Sequence, residues 1–153
     1  MTFEQFAMAR LPSLLRFAVV LTGDRDLAQD IVQEVLARVQ ARWRRISETE
    51  DLEAHVRRMV LNEYLSWRRF WAVRRLRDVQ GSVPDGLWER LAGLGRKQRA
   101  VLVLRYYEQL DDGQIADWLG SSRPAVRGLA SKSLKTLRLE PELVERIPAE
   151  EKS

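Results

Sequence analysis

The chain has 153 residues, 45% of them hydrophobic, with 26 basic and 22 acidic side chains, a net charge of +4, one histidine (His55) and no cysteine. Such a chain folds as one ordinary domain or two small ones. Disulfides, thiolate zinc centres, cysteine nucleophiles and sites needing a histidine pair are excluded, so an enzyme, a metal or a cofactor is not expected.

Apolar residues recur at helical spacing along almost the whole chain, and no stretch alternates with period two between hairpin turns, which predicts an all-α fold. The first helix is expected over about residues 2–10, ending at Pro12, with a second from there to Gly23, a glycine suited to a C-cap. The run "LPSLLRFAVVL" (11–21) carries Pro12 and Arg16. It is too short to span a bilayer and has no signal-peptide cleavage pattern, so a cytoplasmic protein without a membrane segment is expected. Asp24 or Asp26 can cap a long third helix with the stripe Leu27, Ile31, Val35, Val39 and Trp43. After a connection at residues 47–51, a fourth runs to about Trp71 with Leu52, Val56, Val60 and Tyr64 on one face. Together they form a first bundle.

The stretch "DVQGSVPDG" (78–86) concentrates turn formers and marks a boundary. Four shorter helices follow, starting near Leu87, Arg96, Asp112 and Ser122, the last reaching about Leu139. The tail, "EPELVERIPAEEKS", is acidic and read as frayed or disordered.

Charge is unevenly placed. Between His55 and Asp78 stand Arg57, Arg58, Arg68, Arg69, Arg74, Arg75 and Arg77 against Glu63 and Asp78. From Ser121 to Arg138 there are Arg123, Arg127, Lys132, Lys135 and Arg138 with no acid. Two separate basic blocks suggest two contacts with a polyanion, set against the plainer reading of solvated helix faces.

In "QIADWLGSSRPAVRGLA" (114–130), Ala116, Gly120 and Val126 fit the crossing, turn and locking positions of a helix-turn-helix. Ile115 and Leu119 supply the first helix's core face and Asp111 or Asp112 its cap. Ser122 with Pro124 starts the second helix, whose buried stripe is read as Val126, Leu129, Leu134 and Leu137. Arg123, Arg127, Ser131 and Lys135 then form an exposed strip suited to a major groove. The two arginines stand near base edges; Lys132, Lys135 and Arg138 stand near phosphates. A packed hairpin with a solvated basic face is the alternative.

One helix-turn-helix buries only roughly 600–1,000 Å² on DNA, so help is expected from the first bundle or a partner. In "DIVQEVLARV" (30–39), Asp30, Gln33, Glu34 and Arg38 lie off the apolar stripe, as a docking face or a wet one. In "RRMVLNEYLSWRRFWAVRR" (57–75), Asn62, Ser66, Trp67, Arg68, Arg69 and Trp71 combine groups that hold phosphates and stack on unpaired bases. Tyr64, Trp67 and Trp71 could equally continue the core.

Taken together, "LTGDRDLAQDIVQEVLARV", "RRMVLNEYLSWRR" and "LGRKQRAVLVLRYYEQLDDGQIADWLGSSRPAVRGLASKSLKTLR" closely resemble the extracytoplasmic-function sigma factors of bacterial RNA polymerase, in particular the actinobacterial SigE-like group. The resemblance implies sigma region 2 over residues 1–77, which docks on the polymerase clamp and melts the −10 element. It implies a linker over 78–86, region 4 over 87–139, which reads the −35 element, and a tail over 140–153. Asp30, Gln33, Glu34 and Arg38 become the polymerase-binding set. Arg58, Asn62, Ser66, Trp67, Arg68, Arg69 and Trp71 become the −10 set, with residues 70–75 in or beside the loop that captures a flipped base. Ser122, Arg123, Arg127, Ser131, Lys132, Lys135 and Arg138 become the −35 set, and "LRYYEQL" (104–110) lies near the flap. Core RNA polymerase and promoter DNA are the implied partners, with an anti-sigma factor as a further one. Ser66, Leu129 and Ala130 depart from the common pattern, so promoter preference does not carry over. The nine-residue linker reaches roughly 30 Å when extended, which implies strict dependence on promoter spacing. A stand-alone helix-turn-helix regulator and a degenerate sigma acting as an interaction protein are the rival readings.

Overall fold

The structure, a computed structural model, describes residues 1–66 and 94–137. The chain divides into two compact units, Met1–Gly81 and Ser82–Ser153. All regular elements among the described residues are helical, as the periodicity predicts. The expected helix near Leu87, the linker at 78–86, the acidic tail and the site candidates Trp67, Arg68, Arg69, Trp71 and Arg138 lie outside the described residues.

The first unit is built on three long helices, α1 (Phe3–Thr22), α2 (Arg25–Ala41) and α4 (Leu52–Ser66), which pack pairwise, with the short α3 (Trp43–Ile46) between the last two. Two helices were expected before Gly23; there is one, and Pro12 sits inside it. Pro12 is exposed, and so, at 81%, is Met8, whose carbonyl loses its amide partner. The buried stripe of Phe6, Leu14, Phe17, Ala18 and Leu21 continues past the proline on the other side. A proline inside a helix costs about 3 kcal/mol, and burying one large apolar side chain recovers about 1.5–3 kcal/mol. Several such side chains hold the two halves in line. Thr2 starts α1 through a capping box with Gln5, and Gly23, at φ 71°, ends it in the left-handed conformation.

Asp24 is the cap of α2: its carboxylate accepts the Leu27 amide at 3.1 Å. Leu27, Ile31, Val35 and Val39 are buried as expected, joined by Ala28 and Val32. The helix does not continue through Trp43. It ends at Ala41, and Arg42, at φ −117° and ψ 24°, turns the chain into α3. The turn sets the Trp43 ring against two rings of α1, with centroids 5.8 Å from Phe3 and 5.6 Å from Phe6. Four-residue steps drift around a helix of 3.6 residues per turn, so a tryptophan at the end of the stripe reaches the core only if the helix breaks first.

In α4, Val56, Val60 and Tyr64 are buried as expected, and Leu52 is half-buried. The Asp51 carboxylate accepts the Ala54 amide at 3.2 Å and supplies the cap. Arg57, one of the arginines of the first basic block, is turned inward and 5% exposed. Its guanidinium stands 5.3 Å from the centre of the Phe17 ring and 3.4 Å from Glu53, which Arg10 also approaches at 3.6 Å.

The described part of the second unit is α5 (Arg96–Leu102), a π-helical turn (Val103–Tyr107), α6 (Asp112–Leu119) and α7 (Arg123–Leu137). Gly95 and Gln98 close the start of α5 through the glutamine side chain at 3.2 Å. In the π turn the Glu108 amide reaches back five residues to the Val103 carbonyl at 3.0 Å. The widened turn keeps Val101, Leu102, Val103, Leu104 and Tyr107 in the core.

Candidate nucleic-acid interface

The geometry of α6 and α7 follows from their ends. Asp111 and Gln114 form a reciprocal capping box at the start of α6, with bonds of 2.8 and 3.0 Å. Gly120, at φ 63°, stops the helix; the Ser121 amide closes on the Ala116 carbonyl at 2.8 Å and the Gly120 amide on Asp117 at 3.4 Å. Two residues later the Ser122 hydroxyl accepts the Ala125 amide at 3.2 Å and starts α7. Ala116 and Val126, the expected crossing and locking residues, are both buried where α6 and α7 pack. This is the helix-turn-helix that the spacing predicted.

The buried stripe of α7 differs from the expected one. Val126 and Leu137 belong to it, but Ala130 and Ser133 fill its centre at 1% and 0% exposure, while Leu129 and Leu134 are half-buried. Positions 126, 130, 133 and 137 follow the helical period more closely than 126, 129, 134 and 137, and small side chains there let the helices approach. Ser133 donates its hydroxyl to the Leu129 carbonyl of its own helix at 2.6 Å.

On the opposite side, Arg123, Arg127, Ser131, Lys132 and Lys135 are all exposed, as is Ser122 at the cap. The strip is therefore a continuous basic face without an acid of its own. An acid of the neighbouring helix reaches it: Asp112 of α6 stands 3.7 Å from Arg127 and 3.9 Å from Arg105. In the sequence Asp112 shows only as a capping candidate and Gly113 not at all, although Gly113 lies directly against Arg123. A glycine in the first turn of a helix, where its backbone freedom is not needed, was the available signal.

In the first unit, Asp30, Gln33 and Glu34 are exposed on one face of α2, away from the core stripe. Arg38, the fourth member of that set, is committed within the bundle. Its guanidinium donates to both carboxylate oxygens of Glu63, at 2.7 and 3.4 Å, and lies 3.7 Å from Glu34. It joins α2 to α4 while remaining half exposed. Of the −10 candidates, Asn62 and Ser66 are exposed and Arg58 is half-buried, at four-residue steps along α4. The Ser66 hydroxyl donates to the Asn62 backbone carbonyl at 2.9 Å. In the segment 104–110, Leu104, Tyr107 and Glu108 are buried, which leaves Arg105, Tyr106, Gln109 and Leu110 at least partly exposed.

No described helix is long and apolar enough to cross a membrane, and no group of three or more potential metal ligands occurs among the described residues.

Comparison with known proteins agrees with this division. Residues 6–78 match the family model for sigma-70 region 2, and residues 90–139 match that for sigma-70, region 4. The chain is similar to the RNA polymerase sigma-E factor of Streptomyces coelicolor, 33% identical over an alignment covering 90% of this chain and 85% of the relative. It is also similar to the ECF RNA polymerase sigma factor SigL of Mycobacterium tuberculosis, at 32% identity over 82% of this chain and 81% of that one. Among solved structures, the sigma factor RpoE of Bartonella quintana, crystallised with the anti-sigma factor NepR, shares the fold. Its TM-score is 0.67 at 22% identity, over 95% of this chain and 98% of that one.

Proposed function

We propose that this chain, which belongs to the extracytoplasmic-function branch of the sigma-70 family of RNA polymerase sigma factors, divides promoter recognition between its two helical units. Asp30, Gln33 and Glu34 dock the first unit on the polymerase clamp. Arg58, Asn62 and Ser66, continued by Trp67, Arg68, Arg69 and Trp71, take the opened −10 strand. The second unit lays α7 in the major groove of the −35 element, where Arg123 and Arg127 read base edges and Lys132 and Lys135 meet phosphates, with Arg138 beyond them. Ser122 both starts that helix and stands beside the backbone it approaches, and Ser131 lies between the two groups. Arg105, Tyr106, Gln109 and Leu110 face the flap.

The observation that carries this reading is the acid-free exposed strip on the second helix of a helix-turn-helix, in a chain whose other unit matches region 2. A free-standing DNA-binding regulator would have no use for that unit. The chain supplies placement and strand opening; nucleotide addition is the polymerase's, and the chain brings no metal or cofactor to it. An anti-sigma factor is a fitting further partner, in a protein acting in the cytoplasm.

Transcription by purified core polymerase from a promoter library tests the reading, with activity expected only when the chain is added. Within that assay, Arg127→Ala relaxes one −35 position by about 1–3 kcal/mol, and Lys135→Ala weakens all sequences alike. Transcripts independent of the chain, or an Arg127→Ala chain with unchanged preference, refute it.

A further inference from the structure

The first turn of α6 lies outside the recognition strip, yet it touches both arginines at the start of that strip. A Cβ built on Gly113 would stand 2.8 Å from Arg123 Nη2, 3.0 Å from Nε and 3.2 Å from Cζ. The Arg123 guanidinium therefore occupies the space that any side chain at position 113 would fill. Nothing in the backbone asks for glycine there. The described glycines with positive φ are Gly23 and Gly120, and a helix interior favours alanine over glycine. One residue earlier, the Asp112 carboxylate lies between two cations, with Oδ2 3.7 Å from Arg127 Nε and Oδ1 3.9 Å from Arg105 Nη2.

Neither contact does much for the fold. Pairs at these distances between partly exposed groups contribute little stability, and the Arg127 side chain is 67% exposed. Their effect falls on where two long, flexible side chains rest. An arginine ordered only on binding loses rotamer freedom at that moment, whereas one already held loses less and enters the groove from a fixed direction.

We propose that Gly113 and Asp112 are positioning residues for duplex recognition: Gly113 leaves the slot that seats the Arg123 guanidinium, and Asp112 holds Arg127 against the π-helical turn through Arg105. The proposal rests on the reading that Arg123 and Arg127 contact the −35 element. Asp112 has a second consequence. A carboxylate beside the strip repels the phosphate backbone, so it lowers affinity for every duplex while sharpening the choice among them.

The test uses the full chain loaded on core polymerase and a promoter library randomised in the −35 element, with thermal unfolding of each variant in parallel. Gly113→Ala is expected to melt at or above the wild-type temperature, because an alanine suits the helix and only a side-chain tip must move. Discrimination at one base position is expected to fall by about 5- to 20-fold, at the position where Arg123→Ala also loses it. The double variant should be no worse than Arg123→Ala alone. Asp112→Asn should lose discrimination at the Arg127 position and bind non-promoter duplex more tightly. If Arg123→Ala alters the profile while Gly113→Ala keeps the wild-type one, or if the two effects simply add, the positioning role is overturned and the recognition strip stands. If Arg123→Ala itself leaves the profile unchanged, the strip reading falls and the positioning role with it.

Discussion

Replacing Arg38 by alanine separates two jobs that the sequence alone assigns to one surface. The Glu63 side chain is only 9% exposed and receives two guanidinium bonds, one short at 2.7 Å and one long at 3.4 Å. Exposed ion pairs contribute about 0–1 kcal/mol, and breaking a fully buried pair costs about 3–5 kcal/mol. This pair lies between those limits, because Arg38 is 51% exposed while its partner is not. One good charge-assisted bond to a buried carboxylate contributes about 1.5–3 kcal/mol, so a loss of about 2 kcal/mol is expected. In a domain of this size that lowers the melting temperature by roughly 8–16 °C. Charge reversal at Asp30 and Glu34 should do the opposite, costing no more than about 1 kcal/mol through the exposed Glu34–Arg38 pair while reducing polymerase affinity. Scanning calorimetry on the full chain, beside a pull-down with core polymerase well below the transition, reads both. An Arg38→Ala chain that melts within about 2 °C of wild type yet loses polymerase binding tenfold would refute the reasoning and make Arg38 a contact residue.

The packing of α7 leads to a paired expectation. Ala130→Leu overfills the helix crossing and costs about 1–3 kcal/mol in chemical denaturation. Ser133→Ala should stay within about 0.5 kcal/mol, since its hydroxyl bonds only to a carbonyl of its own helix; a loss above 2 kcal/mol would show that the hydroxyl reaches further. Glycines divide in the same way. Gly120→Ala forces a side chain into the left-handed region at φ 63° and costs about 1–2 kcal/mol. Gly128→Ala meets nothing within 4 Å in a regular helix and should add about 0.5–1 kcal/mol, as thermal melts of the two variants would show.

Much of the architecture was readable because one kind of signal carries it. Val56, Val60 and Tyr64, or Ile31, Val35 and Val39, announce a buried face by apolarity and spacing alone, and Gly23, Asp24, Asp111 and Gly120 announce helix ends by local chemistry. The misread places are those where the decision belongs to neighbours. Pro12 breaks a helix in isolation but not one held on both sides by Phe6, Leu14 and Phe17. Ala130 and Ser133 are central to a core although neither is strongly apolar, because their value there is smallness. Arg57 counts as positive charge in a sequence window and lies under Phe17 in the fold. The site divides in the same way. The basic strip was visible as a spacing, whereas the involvement of Asp112 and Gly113 depends on a neighbouring helix and could not appear in any periodicity of α7.

The π-helical turn acts as a phase shifter. An α-helix advances about 100° per residue, and a turn that holds one extra residue moves everything after it by that angle relative to an unbroken helix. Leu104 and Tyr107 both reach the core within that turn. The helix ends with that step and the chain is redirected at Gln109, in the left-handed conformation at φ 59°, so the step and that turn together set the direction that α6 and α7 take. The compass bearing of Arg123 and Arg127 is thus written partly in residues 103–109, so a one-residue deletion in that segment would turn the basic strip without changing any residue on it.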